Sequence, residues 1–182
     1  MAGVIQLNRG VDHVRGNDSA PVILEYGDFE CPYSRMAYRE IEKVEAQLGA
    51  QGVRFAFRHF PLTAIHPHAL AASAAAEAAA PQGRYWEMHD MLFHRQKALE
   101  DADLHAYAQD LGLDVERFDS DRFGEPVLAR IRRDMESGIA TGEVGGTPTI
   151  FIDGRIHRDS YEAPILVEAI ASARASNSAS SR

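Results

Sequence analysis

Pro21-Val22-Ile23-Leu24-Glu25-Tyr26-Gly27-Asp28-Phe29-Glu30-Cys31-Pro32-Tyr33-Ser34 runs from a strand straight into a helix start. Its first half is short, mostly apolar and closed by glycine, which is the pattern of a buried central strand rather than an alternating surface one. Cys31 then stands at the head of a helix. It is the only cysteine in 182 residues. Helix-terminal N–H groups favour a thiolate there, Asp28 and Glu30 oppose it, and the Ser34 hydroxyl, one turn on, is placed to donate to the sulfur. With no second cysteine to pair with, the chemistry open to this thiol is disulfide exchange through one sulfur.

Working outward, Ala37, Ile41, Val44 and Leu48 fall at helical spacing, and Val53-Arg54-Phe55-Ala56-Phe57-Arg58-His59 alternates as a strand with Val53, Phe55 and Phe57 on one face. That is β-α-β, a parallel pair joined by a crossover helix. The middle of the chain reads as helical: Ala69 to Ala80, ended by Pro81-Gln82-Gly83; then Tyr85, Met88 and Leu92; then Leu104, Ala108 and Leu111; then Leu128, Ile131, Met135 and Ile139. Thr149-Ile150-Phe151-Ile152 and Arg155-Ile156-His157 flank Asp153-Gly154, the strongest hairpin signal in the chain. A last helix carries Ile165, Leu166, Ala169 and Ile170, and the Ser-rich segment 175–182 is expected to be a disordered tail. The fold class is therefore α/β, a mixed central sheet from β-α-β and β-β-α halves, with an all-helical insertion over approximately residues 63–140 of a single domain, 1–182.

The net charge of −8 gives no global attraction to nucleic acid or anionic lipid, so neither is expected as a partner. Met1 to Gly10 has no basic n-region or apolar h-region, and no later run approaches spanning length; the expected location is cytoplasmic, away from membranes. A lone cysteine agrees with a reducing compartment.

Glu25 to Ser34, followed far downstream by Gly145-Gly146-Thr147-Pro148-Thr149-Ile150-Phe151-Ile152-Asp153-Gly154, resembles the DsbA-like branch of the thioredoxin superfamily, in particular its soluble bacterial domains, some of them fused to sodium/proton antiporters. The likeness spans nearly the whole chain, from Asp12-His13-Val14-Arg15-Gly16 through Arg58-His59-Phe60-Pro61-Leu62 to the last helix. It implies a thioredoxin fold with a helical insertion. It also implies that Cys31 is the nucleophile, that Pro32 and Tyr33 are the dipeptide that normally separates two cysteines, that Thr147-Pro148 is a cis-proline substrate loop lying against the sulfur, and that Glu25 is a buried acid assisting proton transfer. Ser34 stands where the family has its resolving cysteine. A serine hydroxyl forms no disulfide, so release of a mixed disulfide falls to an external thiol such as glutathione.

Three readings follow. The first is a thiol–disulfide oxidoreductase or isomerase with Cys31, Ser34 and Glu25 as catalytic residues, Pro32, Tyr33, Thr147 and Pro148 contacting protein or peptide disulfides, no tightly bound cofactor, and glutathione as co-substrate. The second resembles the kappa-class glutathione transferases and related isomerases, with Cys31 or Ser34 holding the glutathione sulfur. The third is a non-catalytic peptide-binding or chaperone module. The first is preferred because Thr147-Pro148 and the Asp12 to Arg15 entry match it, and it requires an accessible sulfur beside the Thr147-Pro148 loop.

Other motifs have plainer readings. His66-Pro67-His68, with His89 and His94 further on, lacks an i, i+4 pair and reads as a solvated helix start rather than a metal site. Tyr85, Trp86, Met88 and Phe93 read as packing between insertion and sheet, and Phe60, Pro61 and Leu62 as a loop plug. Gly145-Gly146 is followed by no Gly-Lys-Ser/Thr and is no phosphate loop.

Overall fold

The computed structural model describes residues 5–8 and 10–180, with side chains through 176. Strand β2 (Val22–Gly27) is buried along its whole length. It pairs in parallel with β3 (Arg54–His59), aligning Glu25 with Phe57, and antiparallel with β4 (Thr149–Ile152), aligning Glu25 with Ile150. Helix α1 (Pro32–Leu48) is the crossover between β2 and β3. An edge strand without a sequence signal, β1 (His13–Arg15), pairs antiparallel with β3, and β5 (Arg155–His157) closes the other edge, giving the order β1-β3-β2-β4-β5. The sheet is mixed, and the fold is the expected α/β thioredoxin fold with a helical insertion.

The period-two alternation of the strands sorts two cores. Ile23, Phe55, Phe57, Ile150 and Ile152 face α1 and α7 (Ala163–Ser180), while Val22, Leu24, Tyr26, Ala56 and Phe151 face the other way, against Phe60 and Val144. The β4–β5 hairpin turns as Asp153-Gly154 predicts, with φ of 46° and 79° at the two central residues. Between β3 and β4 stand α2 (Ala69–Ala79), α3 (Tyr85–His94), α4 (Asp101–Asp110), α5 (Val115–Arg122) and α6 (Glu125–Ala140).

Two expectations need correction here. The apolar set Leu128, Ile131, Met135 and Ile139 is not the packed face of α6, because Ile139 is 62 % exposed. The buried stripe is Val127, Ile131, Asp134 and Gly138. Asp134 turns inward to accept the His59 N–H, and a Cβ at Gly138 would come within 3.0 Å of the Tyr26 ring, so a polar residue and a glycine occupy positions that an apolar count misses. The segment expected to be a disordered tail is helical as far as Ser180, since Ala and Ser continue the last turns of α7; residues 181 and 182 lie outside the described residues.

Candidate active site

Cys31 is the N-cap of α1, with φ −71° and ψ 121°, and Pro32 opens the helix. Proline costs nothing there, because an N–H at the first helical position has no intrahelical partner. No acidic side chain lies in the first turn to oppose an anion. The Cys31 Sγ donates to the carbonyl of Thr147 at 3.3 Å, across 116 positions of sequence, and the Thr147–Pro148 bond is cis. The two motifs therefore meet. The expected accessibility is not found: Cys31 is only 3 % exposed, with its thiol turned onto the Thr147 carbonyl. On the same helical turns Tyr33 is 61 % and Met36 53 % exposed.

Glu25 points into the α1 side of the sheet and is completely buried, which dismisses a water-facing edge position. Neither carboxylate oxygen has a hydrogen-bond partner, and burial alone pushes this acid up to about 8. Its neutral form is the resident one at pH 7. Tyr161, half-buried after β5, shares a cleft of about 320 Å³ with Pro148, Thr149 and Ile150. Burial pushes the pKa of its hydroxyl up, and the charges of Tyr33, Cys31 and Glu25 add to the rise.

Ser34 is held by the backbone at the head of α1. Its buried hydroxyl accepts the Asp28 N–H at 3.2 Å, which ties the first turn of α1 to the end of β2. Asp28 is the hub of that turn. Its backbone carbonyl accepts the Cys31 N–H, Oδ1 accepts the Glu30 N–H, and Oδ2 accepts the Leu62 N–H and lies 2.8 Å from His66 Nδ1. Glu30 in turn accepts the His68 N–H, and His68 Nδ1 lies 2.9 Å from its other oxygen. The 66–68 segment is thus not merely a solvated helix start: both histidines hold carboxylates flanking the thiol. Gln96, between α3 and α4, donates to the carbonyls of Phe29 at 2.7 Å and Cys31 at 2.9 Å. None of these partners has a sequence period that links it to Cys31.

The aromatic stretch packs as expected. Tyr85 stacks on His13 with centroids 3.5 Å apart, and Phe93 stacks on Tyr38 at 4.8 Å. Phe60 meets Tyr26 edge-on in the second core. Elsewhere His59, Glu77 and Asp134 bring three donor atoms within 4.8 Å of one another. The Arg130 Nε lies 3.5 Å from Asp134 and 3.9 Å from Glu77, so a side-chain cation already answers those carboxylates.

A helix-start thiol docked on a threonine–proline loop from the far half of a mixed sheet, with helices inserted between the halves, is the arrangement of a thioredoxin-fold protein with a helical insertion. The comparisons agree. The thioredoxin family model matches residues 8–171, and the chain belongs to that family. A thioredoxin-like oxidoreductase from Silicibacter pomeroyi superposes with a TM-score of 0.80 at 26% identity, covering 92% of this chain and 98% of that one. BdbD from Bacillus subtilis, in its oxidised form, gives 0.80 at 20% identity over 94% and 97%, and α-DsbA1 from Wolbachia pipientis 0.76 at 19% over 91% and 92%. Among curated proteins, a Na(+)/H(+) antiporter NhaA 1 of Salinispora arenicola is 44% identical over 89% of this chain, and a Na(+)/H(+) antiporter NhaA 3 of Salinispora tropica is 45% identical over 91%. The chain spans only 24% and 25% of the length of those two. No helix among the described residues is long and apolar enough to cross a membrane.

Proposed function

We propose that this domain is a thiol–disulfide oxidoreductase or isomerase that works through the single sulfur of Cys31. The observation that carries the reading is the Cys31 thiol at a helix N-terminus, 3.3 Å from the Thr147 carbonyl. A substrate disulfide enters as that contact opens. The Cys31 thiolate attacks one substrate sulfur, the substrate S–S bond breaks, a Cys31–substrate disulfide forms, and the other substrate sulfur leaves as a thiolate that takes up a proton. Glu25, held protonated by burial up to about pH 8, is the buried acid able to give its proton to the departing thiolate, and only in its ionised form could it take the Cys31 proton back. The alternation of one buried acid between two protonation states is what its lack of partners permits.

Ser34 cannot resolve the mixed disulfide. An external thiol, glutathione by class, attacks as its thiolate: at the substrate sulfur it releases Cys31 and forms a glutathione–substrate disulfide, and at Cys31 it releases the substrate thiol and forms a Cys31–glutathione disulfide. A second glutathione cleaves either product and leaves oxidised glutathione. Pro32 and Tyr33 on the helix side, with Thr147 and Pro148 on the loop side, would contact the substrate, the loop backbone offering an extended peptide its hydrogen bonds.

Incubation with oxidised glutathione followed by intact mass measurement tests the first step, and insulin reduction with and without reduced glutathione tests the second. The expected results are one glutathione adduct, erased by Cys31→Ser, and turnover that depends on glutathione. Absence of any adduct on folded protein would overturn the reading; conjugation of a chloronitrobenzene to glutathione without disulfide activity would favour a transferase instead.

A further inference from the structure

We infer that Gln96, supplied by the helical insertion, is a positioning residue for the Cys31 sulfur; the inference rests on Cys31 being the reactive group proposed above. One Gln96 amide nitrogen donates both of its hydrogens, at 2.7 Å to the Phe29 carbonyl and 2.9 Å to the Cys31 carbonyl. Two carbonyl acceptors fix which end of that amide is the nitrogen.

The two bonds complete the constraint on the Cys31 backbone. Its N–H donates to the Asp28 carbonyl at 3.1 Å, which sets the peptide plane before it. Its carbonyl accepts from Arg35 N–H at 3.1 Å and from Gln96, which sets the plane after it. With both planes held, the Cα–Cβ direction is held, and the sulfur is kept at the head of α1 and against Thr147. Arg35 belongs to α1 itself and moves with it; Gln96 belongs to a different part of the fold. It ties the turn to the segment between α3 and α4, so that the insertion, not the helix alone, dictates where the thiol sits. Gln96 is half-buried, and its stem is not among the core residues, so its length and donors carry its role.

Helix N–H groups favour a thiolate only while the sulfur is aligned with them, an effect that fades within the first turn. Loosening the alignment therefore raises the pH at which the thiol ionises. Access is a separate quantity, seen in the rate once the thiol is fully ionised.

The test is the pH profile of Cys31 alkylation by iodoacetamide, followed by intact mass, for the wild type, Gln96→Met and Gln96→Ala. Methionine keeps the reach and removes both donors. The expected result in both variants is a midpoint raised by about half a pH unit or more, which is roughly a threefold loss of thiolate at any pH below it. A change confined to the high-pH plateau, with the midpoint unmoved, would show looser packing only and overturn the inference. So would loss of folding in both variants, judged by circular dichroism, because Gln96 would then be a fold residue. Iodoacetamide needs no disulfide partner. A protein that alkylates with the Gln96-dependent midpoint yet takes up no glutathione would thus refute the proposed function and leave the positioning role standing.

Discussion

Glu25 and Glu77 are both withdrawn from water, at 0 % and 6 % exposure, and their acidities move in opposite directions. Glu25 lies under the Cys31 turn with no partner, and burial pushes it up to about 8. Glu77 lies on α2, where burial again favours the neutral form. There it is overridden by His13 at 3.0 and 3.1 Å and His59 at 2.8 Å, which hold the carboxyl well below its usual range; the Arg130 Nε lies 3.9 Å away. The same side chain thus keeps its proton up to about pH 8 in one pocket and is a fixed anion in the other. The difference lies in the neighbours. A lone buried acid changes charge near neutrality and is of use to chemistry; a paired one holds β1, β3, α2 and α6 together and is of use to the fold.

The contrast can be broken most severely at Glu77. Glu77→Ala leaves His13, His59 and Arg130 around a vacated centre and is expected to lower the unfolding free energy by about 3–5 kcal/mol, measured by urea denaturation. The wild-type contribution of this anion is complete above the ordinary carboxylate range and is lost as the pH falls below it, since the folded state binds the proton less readily than the unfolded chain.

Glu25→Leu should act in the reverse sense. The folded chain holds a proton on Glu25 up to about pH 8, whereas the unfolded chain releases it near 4.5, so this acid costs stability increasingly from pH 4.5 to about 8. Its replacement is expected to raise unfolding free energy at pH 8 by something on the order of 3 kcal/mol and to flatten that limb of the pH dependence, while slowing exchange at Cys31. A stability curve unchanged by Glu25→Leu would show that the carboxyl is hydrated after all.

His89 sharpens the contrast from the basic side. Sealed among Phe29, Phe57 and Phe93, it is lowered to about 4 by burial, although Asp90 pulls the other way. It is neutral in the fold and charged in the unfolded chain below 6.5, so stability should fall as the pH drops from 6.5 through 4. His89→Phe is expected to recover about 1 kcal/mol near pH 5.5, read from thermal unfolding across the acid range. The smallest effect on stability belongs to Ser34→Cys. Loss of the hydroxyl that accepts the Asp28 N–H is expected to cost about 1 kcal/mol, while release of the mixed disulfide should become independent of added glutathione, one insulin disulfide being reduced for each disulfide formed between Cys31 and the introduced cysteine.

Much of this fold was legible from local pattern. The β2 run, the α1 spacing, the alternation of β3 and the Asp153-Gly154 turn each carry their own period or turn chemistry, and all lie where those patterns predict. Strand β1 did not announce itself, because three residues are too few for a period and its pairing with β3 crosses more than forty positions. The face of α6 misled because its inward contacts are made by Asp134 and Gly138. At the site, Cys31, Glu25 and Thr147-Pro148 could be named from resemblance, and Cys31 and Thr147 do meet, but the burial of the thiol, the partner of Ser34 and the holding roles of His66, His68 and Gln96 depend on which loop the insertion lays beside the turn. No spacing rule encodes that.

The contact between Cys31 and Thr147 also carries a consequence for the order of synthesis. The thiol leaves the ribosome long before the carbonyl that caps it, and the β4 strand that positions this carbonyl against β2 follows later still. A nascent or truncated polypeptide ending ahead of that strand would hold a cysteine without its seat. The capped arrangement of the thiol thus exists only once β4 has been made.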